Sequence, residues 1–157
     1  MSSTDVAAST EAPGLSTIDM LLEVVTLPVS DVDRAKNFYT SLGWRMDIDL
    51  AVSDDFRVVQ VTPPHSGCSI QFGKGRTTAE PGSAQAMILV VKDIDAARAD
   101  LIGRGVDVSE VAVQKPPAFD DAPGRSYFAR ATFSDPDGNG WELQEITTRL
   151  PGREWED

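Results

Sequence analysis

The sequence is poor in the side chains that bind metals and form disulfides. Cys68 is the only cysteine and His65 the only histidine among 157 residues. A single cysteine forms neither an internal disulfide nor a thiolate metal cluster, and we expect a cytoplasmic protein. Within one chain, a single histidine excludes an iron site of two histidines and a carboxylate. It equally excludes a catalytic zinc with two or three histidine ligands, and the segment "TPPHSG" predicts that His65 lies in an exposed loop.

Basic residues and long apolar runs are also scarce. The chain has 14 Lys and Arg against 25 Asp and Glu, which gives a net charge of -11. Nucleic acid requires a basic surface and is therefore not an expected partner. The acidic surface would favour a cationic ligand, although charge of this kind speaks mainly to solubility. No apolar run approaches the length that spans a bilayer, and we expect no membrane partner.

Both ends of the chain are polar. Residues 1–19, "MSSTDVAASTEAPGLSTID", lack the basic start and the apolar stretch of a signal peptide. They are predicted to be a disordered leader. Residues 149–157 are predicted to be a loose tail, in which Trp155 could dock on a surface.

An internal repeat organises the rest of the chain. The segments "LPVSDVDRAKNFYTSLGW" and "LVVKDIDAARADLIGRGV" align without a gap. Their matched pairs include Leu27 with Leu89, Asp31 with Asp93, Ala35 with Ala97, and Gly43 with Gly105. Agreement at so many of the aligned positions indicates a duplicated module.

Each module has the same predicted order of elements. A strand leads to a polar cap at Ser30–Asp31 or Asp93, then to a helix with one apolar face, and then to Gly43 or Gly105. The strand candidates lie at 20–29, 44–52, 56–63 and 68–73, and again at 86–91, 106–113, 127–134 and 141–146. This order predicts an α+β fold of two tandem βαβββ modules, residues 20–75 and 85–148, joined by a linker at 76–84. Together the modules would form a curved mixed sheet around a concave cavity.

The chain resembles the vicinal oxygen chelate superfamily of glyoxalases, bleomycin-resistance proteins and dioxygenases. The resemblance covers Met20 to about Thr148. It rests on the paired βαβββ order, the junctions "LPVSDVDRAKNFY" and "VVKDIDAARADL", and the segment "FSDPDGNGWELQE".

The resemblance also implies where a metal would bind. Metal-binding members take ligands from the first and last strands of each module, and the corresponding positions here hold Val24, Gln71, Ala86 and Glu142. Two of these side chains cannot bind an ion and only Glu142 is a strong ligand, so we expect no metal and no cofactor. Because these positions depart from the metal-ligand pattern of the family, we do not expect glyoxalase I, ring-cleaving dioxygenase or metal-dependent epimerase activity. A divalent ion held weakly through Glu142 stays open.

The acidic segment "DPDGNGWELQE" has the start of a calcium-binding loop. If Asp135 is the first position of an EF-hand loop, the twelfth must be a bidentate glutamate, and it is Ile146. Pro136, Gly138 and the pair Asn139-Gly140 instead favour tight turns. The segment is therefore predicted to start the last strand and direct Glu142 into the concavity.

Alternation along the strands assigns the remaining side chains of the concave face. The residues predicted there are Val24, Thr26, Gln71, Ala86, Ile88, Glu142 and Gln144. The longer connection "QKPPAFDDAPGRSY" in the second module adds Phe119 and Tyr127 if it closes over a ligand. An inert spacer is the alternative for this connection.

These features support three functional hypotheses. The first is a protein that binds a small organic molecule in a metal-free cleft, as drug-sequestering bleomycin-resistance proteins do, often at a homodimer interface. The second is a lyase or isomerase of the same superfamily in which Glu142 is the acid/base catalyst. The third is a decayed site in a protein that serves assembly. Whether the modules pair within one chain or across a dimer stays open.

Overall fold

The computed structural model describes residues 13–155, and its elements follow the order βαβββ twice. The first module contains β1 (Val24–Thr26), α1 (Val32–Ser41), β2 (Arg45–Ser53), β3 (Phe56–Thr62) and β4 (Ser69–Lys74). The second contains β5 (Met87–Val91), α2 (Ile94–Gly103), β6 (Ala112–Val113), β7 (Ala129–Ser134) and β8 (Gly140–Glu145). A short 3-10 helix, Pro117–Phe119, lies between β6 and β7.

The polar ends contain no regular secondary structure where they are described. Residues 1–12 of the predicted leader and residues 156–157 of the predicted tail lie outside the described residues. Residues 13–19 and 149–155 contain no helix or strand, and neither do residues 20–23, with which the first predicted strand begins. Within residues 13–155, no helix has the length and apolarity needed to cross a bilayer.

Each module forms its own four-stranded sheet. The strand orders are β1-β4-β3-β2 and β5-β8-β7-β6. The first strand of each module runs parallel to the last, and the other neighbours are antiparallel. These open, curved sheets confirm the predicted α+β fold of two βαβββ modules.

The helix boundaries follow from the capping residues. Asp31 and Asp93 have extended backbones, and their carboxylates accept hydrogen bonds from the third backbone N–H that follows each of them. The helices end before Gly43 and Gly105, whose φ angles of 83° and 91° lie in the left-handed region. The repeated caps therefore start and stop both helices as the sequence predicts.

The strand predicted at 106–113 is much shorter than expected. In the strand register only Ala112 and Val113 pair with β7, although the Ser109 N–H also donates to the Thr132 carbonyl of β7 at 2.9 Å. The Arg98 guanidinium of α2 donates to the Ser109 carbonyl at 2.7 Å, and Val106 and Val108 are buried in the core. Ser109 thus divides its hydrogen bonds between α2 and β7, and a regular strand forms only at Ala112–Val113, at the edge of the second sheet.

The core is centred on Tyr39 of α1, which is fully buried. Its ring lies 5.3 Å from Trp44, 5.6 Å from Phe72 and 6.0 Å from Trp141 of the second module. Its hydroxyl donates to Asp135 Oδ2 at 2.8 Å and accepts from Trp141 Nε1 at 3.0 Å. Burial and the nearby Asp135 charge raise the pKa of Tyr39, so the hydroxyl stays protonated and remains a donor.

The turn that connects β7 to β8 joins the modules. Asn139, fully buried, donates through Nδ2 to the Pro28 carbonyl at 2.8 Å and accepts from Ala84 N at 3.1 Å. Asp137 accepts from Ser30 N and from Arg34, at 3.1 Å each. The turn of the second module therefore bonds to the residues that start α1 in the first.

The end of the linker is bound to the same turn. Gly82 N donates to Pro28 O at 3.1 Å, and Gln85 Nε2 donates to the carbonyls of Gly82 and Gly138. Gly82 has φ 82°, and a Cβ at this position would collide with the Asp137 backbone oxygen. Only glycine fits here.

We predict that Asn139→Ala lowers the free energy of unfolding by about 2–4 kcal/mol. The substitution leaves the Ala84 N–H without its acceptor, removes one of the two hydrogen bonds to the buried Pro28 carbonyl and opens a void between the modules. Urea unfolding with an unchanged m-value measures the loss. Asn37→Ala, an exposed position on α1, is the matched control and should change stability by less than about 0.5 kcal/mol. An equal effect of both substitutions would contradict the role of this turn.

Candidate functional site

The open face of the second sheet presents a row of polar side chains. Along β7, Ala129, Ala131 and Phe133 are buried, whereas Arg130 and Thr132 lie on the opposite face. The strand register places Thr132 beside Glu142 and Arg130 beside Gln144. Alternation in β8 buries Trp141 and Leu143 and directs Glu142 to the open face, as the sequence predicts.

A cavity of about 440 Å³ lies on this face, within the usual size range for small-molecule sites. We call it the cleft. It combines hydroxyl, amide and charged groups with one aromatic edge. Its lining includes Ser109, Gln114, Tyr127, Arg130, Glu142 and Gln144.

Glu142 is held by an ion pair inside the cleft. Arg130 Nη1 donates to Glu142 Oε1 at 3.1 Å, and the two side chains are 45% and 18% exposed respectively. Among the described residues, no hydrogen bond reaches Glu142 Oε2. The pair presents both a cation and a carboxylate oxygen to any molecule in the cleft.

Gln144 and Tyr127 form the neighbouring part of the cleft. Gln144 Nε2 donates to the Tyr127 carbonyl at 3.0 Å, and the Tyr127 N–H donates to the Glu145 carbonyl at 2.7 Å. Tyr127 has φ 73°, an uncommon conformation for a residue with a side chain. The two hydrogen bonds to β8 stabilise this conformation. Tyr127 is therefore a locally strained residue within the site.

The predicted residues of the first module lie on a different sheet. Val24 pairs with Ser69, and Thr26 pairs with Gln71 across β1 and β4. The Gln71 amide donates to Gln60 Oε1 at 2.8 Å and accepts from Arg76 at 2.8 Å. None of the three predicted residues lines the cleft, which is formed by the second module.

The remaining predicted residues lie either at β5 or on a second cavity. Ile88 lies opposite Glu142 in the register of β5 and β8 and is half exposed. Ala86 precedes β5, is exposed and has φ 59°, so it is not a strand residue. Phe119 lies on a second cavity, beside Tyr127. The cleft thus brings together Tyr127, Glu142 and Gln144 from the predicted set.

The donor set does not fit a divalent ion. The positions Val24, Gln71, Ala86 and Glu142 provide one carboxylate and one amide, and that amide already bonds to Gln60 and Arg76. In residues 13–155, no three His, Cys, Asp or Glu side chains are grouped so that they could hold a metal. The turn of Asp135 offers no calcium site either, because its carboxylate bonds to Tyr39 and Asn139.

The β6–β7 connection is anchored at its end by Arg125. Its guanidinium donates to Glu145 at 2.7 and 3.0 Å and to Asp95 at 2.8 Å. Glu145 is 4% exposed and also accepts from Ile94 N at the start of α2. The hydrogen bonds that Arg125 donates to Glu145 and Asp95 raise the pKa of its guanidinium. Arg125 therefore attaches the connection to β8 and α2 at once.

Arg130, Glu145 and the anchoring role of Arg125 are not apparent from local sequence patterns. Arg130 meets Glu142 only through the register of β7 and β8, and Glu145 meets Arg125 only through the path of the connection. The alternation "ARATFS" would have indicated that Arg130 and Thr132 share a face, but not which strand they border.

Two βαβββ modules, each with its own four-stranded mixed sheet, define the class of α+β protein to which the chain belongs. The chain belongs to the Glyoxalase/Bleomycin resistance protein/Dioxygenase superfamily, whose family model matches residues 21–143. This membership confirms the family resemblance drawn from the sequence.

Several solved structures are similar to this chain. TnmS3, described as an antibiotic binding protein from Streptomyces sp. CB03234, is 30% identical with a TM-score of 0.66. The match covers 84% of this chain and 99% of TnmS3. A glyoxalase/bleomycin resistance protein from the same organism is 31% identical, with a TM-score of 0.61 and coverage of 79% and 99%. A superfamily member from Sphaerobacter thermophilus DSM 20745 is 28% identical, with a TM-score of 0.62 and coverage of 81% and 98%. A comparison with curated proteins finds no match.

We predict that Arg125→Met loosens the β6–β7 connection. Removal of the guanidinium frees residues 117–124 from β8 and α2, and their backbone amides should exchange with solvent about tenfold faster or more. Hydrogen–deuterium exchange measures this change. Arg45→Met removes an exposed ion pair with Asp47 and should leave the connection unaffected. Unchanged exchange in the Arg125 variant would show that other contacts hold the connection.

Proposed function

We propose that the protein binds a small organic molecule in a metal-free cleft and so sequesters a drug or metabolite. The observation that carries the proposal is the Arg130–Glu142 ion pair at the family's last-strand ligand position. A carboxylate paired with a guanidinium offers a donor and an acceptor to a ligand at one place. The polar groups beside it, Gln144 and Thr132, would fix the ligand's orientation.

Similarity to an antibiotic binding protein supports the sequestration role. TnmS3 is 30% identical over nearly its whole length. A binding protein needs shape and a few hydrogen bonds, whereas catalysis needs groups placed against a reacting atom. The cleft provides the shape and the hydrogen-bonding groups that binding needs. A chain with one cysteine and no disulfide fits a cytoplasmic location for this role.

We further propose a homodimer that uses the outer strand of the first sheet. β2 is an edge strand, and all nine of its residues are exposed. Met46, Ile48, Leu50 and Val52 are 40–66% exposed. An exposed apolar edge strand is a liability in a monomer, and a second copy of the chain would cover it.

The second candidate is a lyase or isomerase that uses Glu142 as acid/base catalyst. It is favoured by Oε2 of Glu142, which accepts no hydrogen bond from the described residues and faces the cleft. Gln144 donates one of its two amide N–H groups to the Tyr127 carbonyl, and the other could polarise a substrate carbonyl. Similarity to an antibiotic binding protein makes binding the better-supported function.

We predict that a cleft-binding compound raises the melting temperature by about 5–10 °C at saturating concentration. A thermal-shift screen against cationic antibiotics, aromatic metabolites and 2-oxoaldehydes should identify it. Glu142→Gln should then weaken its affinity about tenfold in calorimetry, because a charged hydrogen-bond acceptor is lost. Glu80→Gln, an equal charge change in the exposed linker, is the control. If Glu142→Gln abolishes turnover of the compound but keeps its affinity, the enzyme hypothesis is favoured. If no compound in the screen shifts the melting temperature, ligand binding is refuted.

We predict that Leu50→Asp converts a dimer into a monomer. Leu50 is one of the exposed apolar side chains of β2, and a charge at this position would be buried without a partner in the proposed interface. Sedimentation velocity measures the mass of each variant. Ile102→Asp places the same charge on an exposed position of α2 and should leave the dimer intact. A wild-type protein that sediments as a monomer would overturn the proposed interface.

A further inference from the structure

A second cavity of about 670 Å³ lies beside the cleft, between the β6–β7 connection and the C-terminal segment. We call it the tail cavity. Its walls are mainly apolar, and Tyr127 and Phe128 are the residues it shares with the cleft. Residues 147–151 form one wall and lie beyond residue 143, where the family match ends. The tail cavity is therefore distinct from the cleft of the proposed function.

Hydrogen bonds hold the two walls together. Ser126 Oγ accepts from the N–H groups of Thr147 and Thr148 at 3.0 and 3.1 Å and donates to the Thr148 carbonyl at 2.9 Å. Tyr127 Oη accepts from Leu150 N at 3.0 Å. The C-terminal segment is thus attached to the connection at both ends of the wall. The cavity is preformed, and a ligand need not order it.

The apolar wall is aromatic. Phe119 and Phe128 have ring centroids 5.5 Å apart and planes tilted by 48°. Phe119 is 49% exposed, and Leu150, which the C-terminal segment contributes to the lining, is 60% exposed. Large apolar side chains from two segments that line one cavity favour a flat apolar molecule in it.

The charged residue of the lining is Arg149. Its Nε is buried, and among the described residues no group accepts a hydrogen bond from it. Its guanidinium lies 3.7 Å from the centre of the Trp155 ring, and Lys92 Nζ lies 5.1 Å from the same ring. Within residues 13–155, neither cation forms an ion pair with an acid. A buried donor without an acceptor is costly, and a carboxylate is the acceptor that a guanidinium bonds most strongly.

We propose that the tail cavity binds a small aromatic carboxylate. The ring lies between the phenylalanine pair and Leu150, and the carboxylate bonds to Arg149. Tyr127 links this site to the cleft, because its hydroxyl contacts the tail and its carbonyl holds Gln144. The site does not depend on the identity of the cleft ligand.

The test uses 1-naphthoate as a probe of the full-length protein in isothermal titration calorimetry. Naphthoate should bind, and the neutral alcohol 1-naphthalenemethanol should bind about tenfold more weakly. Arg149→Gln should remove this preference for the acid. Arg153→Gln, an exposed cation in the same segment, is the matched control and should keep it. Phe119→Ala should weaken both compounds and leaves the Arg149–Trp155 contact in place.

Trp155 provides a second readout. Its ring stacks on Arg149, so naphthoate should change tryptophan emission in the wild type and not in Arg149→Gln. The proposal is overturned if naphthoate does not bind at millimolar concentration, or if acid and alcohol bind equally. It is also overturned if Glu142→Gln abolishes naphthoate binding, because the probe would then occupy the cleft.

Discussion

The buried carboxylate of Asp135 is the group on which the arrangement of the two modules depends. It is 5% exposed and accepts from Tyr39 Oη, from Asn139 Nδ2 and from the backbone N–H groups of residues 137 and 139. A buried charge is tolerated only when its lone pairs are satisfied. The conformation of the turn, the position of Tyr39 and the packing of the first helix on the second module are therefore coupled.

This constraint extends to the cleft. β8 begins at Gly140, one residue after the turn, so the position of the turn decides that Trp141 faces the core and Glu142 the open face. The register of β7 then brings Arg130 and Thr132 to the same face. A polar cluster buried between the modules thus positions an ion pair on the far side of the sheet. The cleft acquires its geometry from secondary structure, and its aromatic edge from Tyr127.

Local patterns in the sequence were sufficient for most of the fold. The repeated caps at Asp31 and Asp93 and the alternation around Glu142 depend on residues close in the chain, and the structure agrees with them. The contacts that escaped prediction join distant segments. Arg98 donates to the Ser109 carbonyl, a backbone group that a longer β6 would have used for pairing. Arg130 reaches Glu142 only through the register of β7 and β8. The left-handed Tyr127 gives no signal at all, because tertiary contacts impose a conformation its side chain disfavours.

The linker between the modules is tethered at its second half. Gly82 is packed against the turn without room for a side chain, and Ala84 and Gln85 bond to Asn139 and Gly138. A hinge for exchanging modules between chains needs a segment that can straighten, and these residues cannot do so without breaking the buried cluster. An insertion after Gly82 would break these contacts and separate the linker from the turn. The contacts of residues 82–85 therefore hold the two modules against each other.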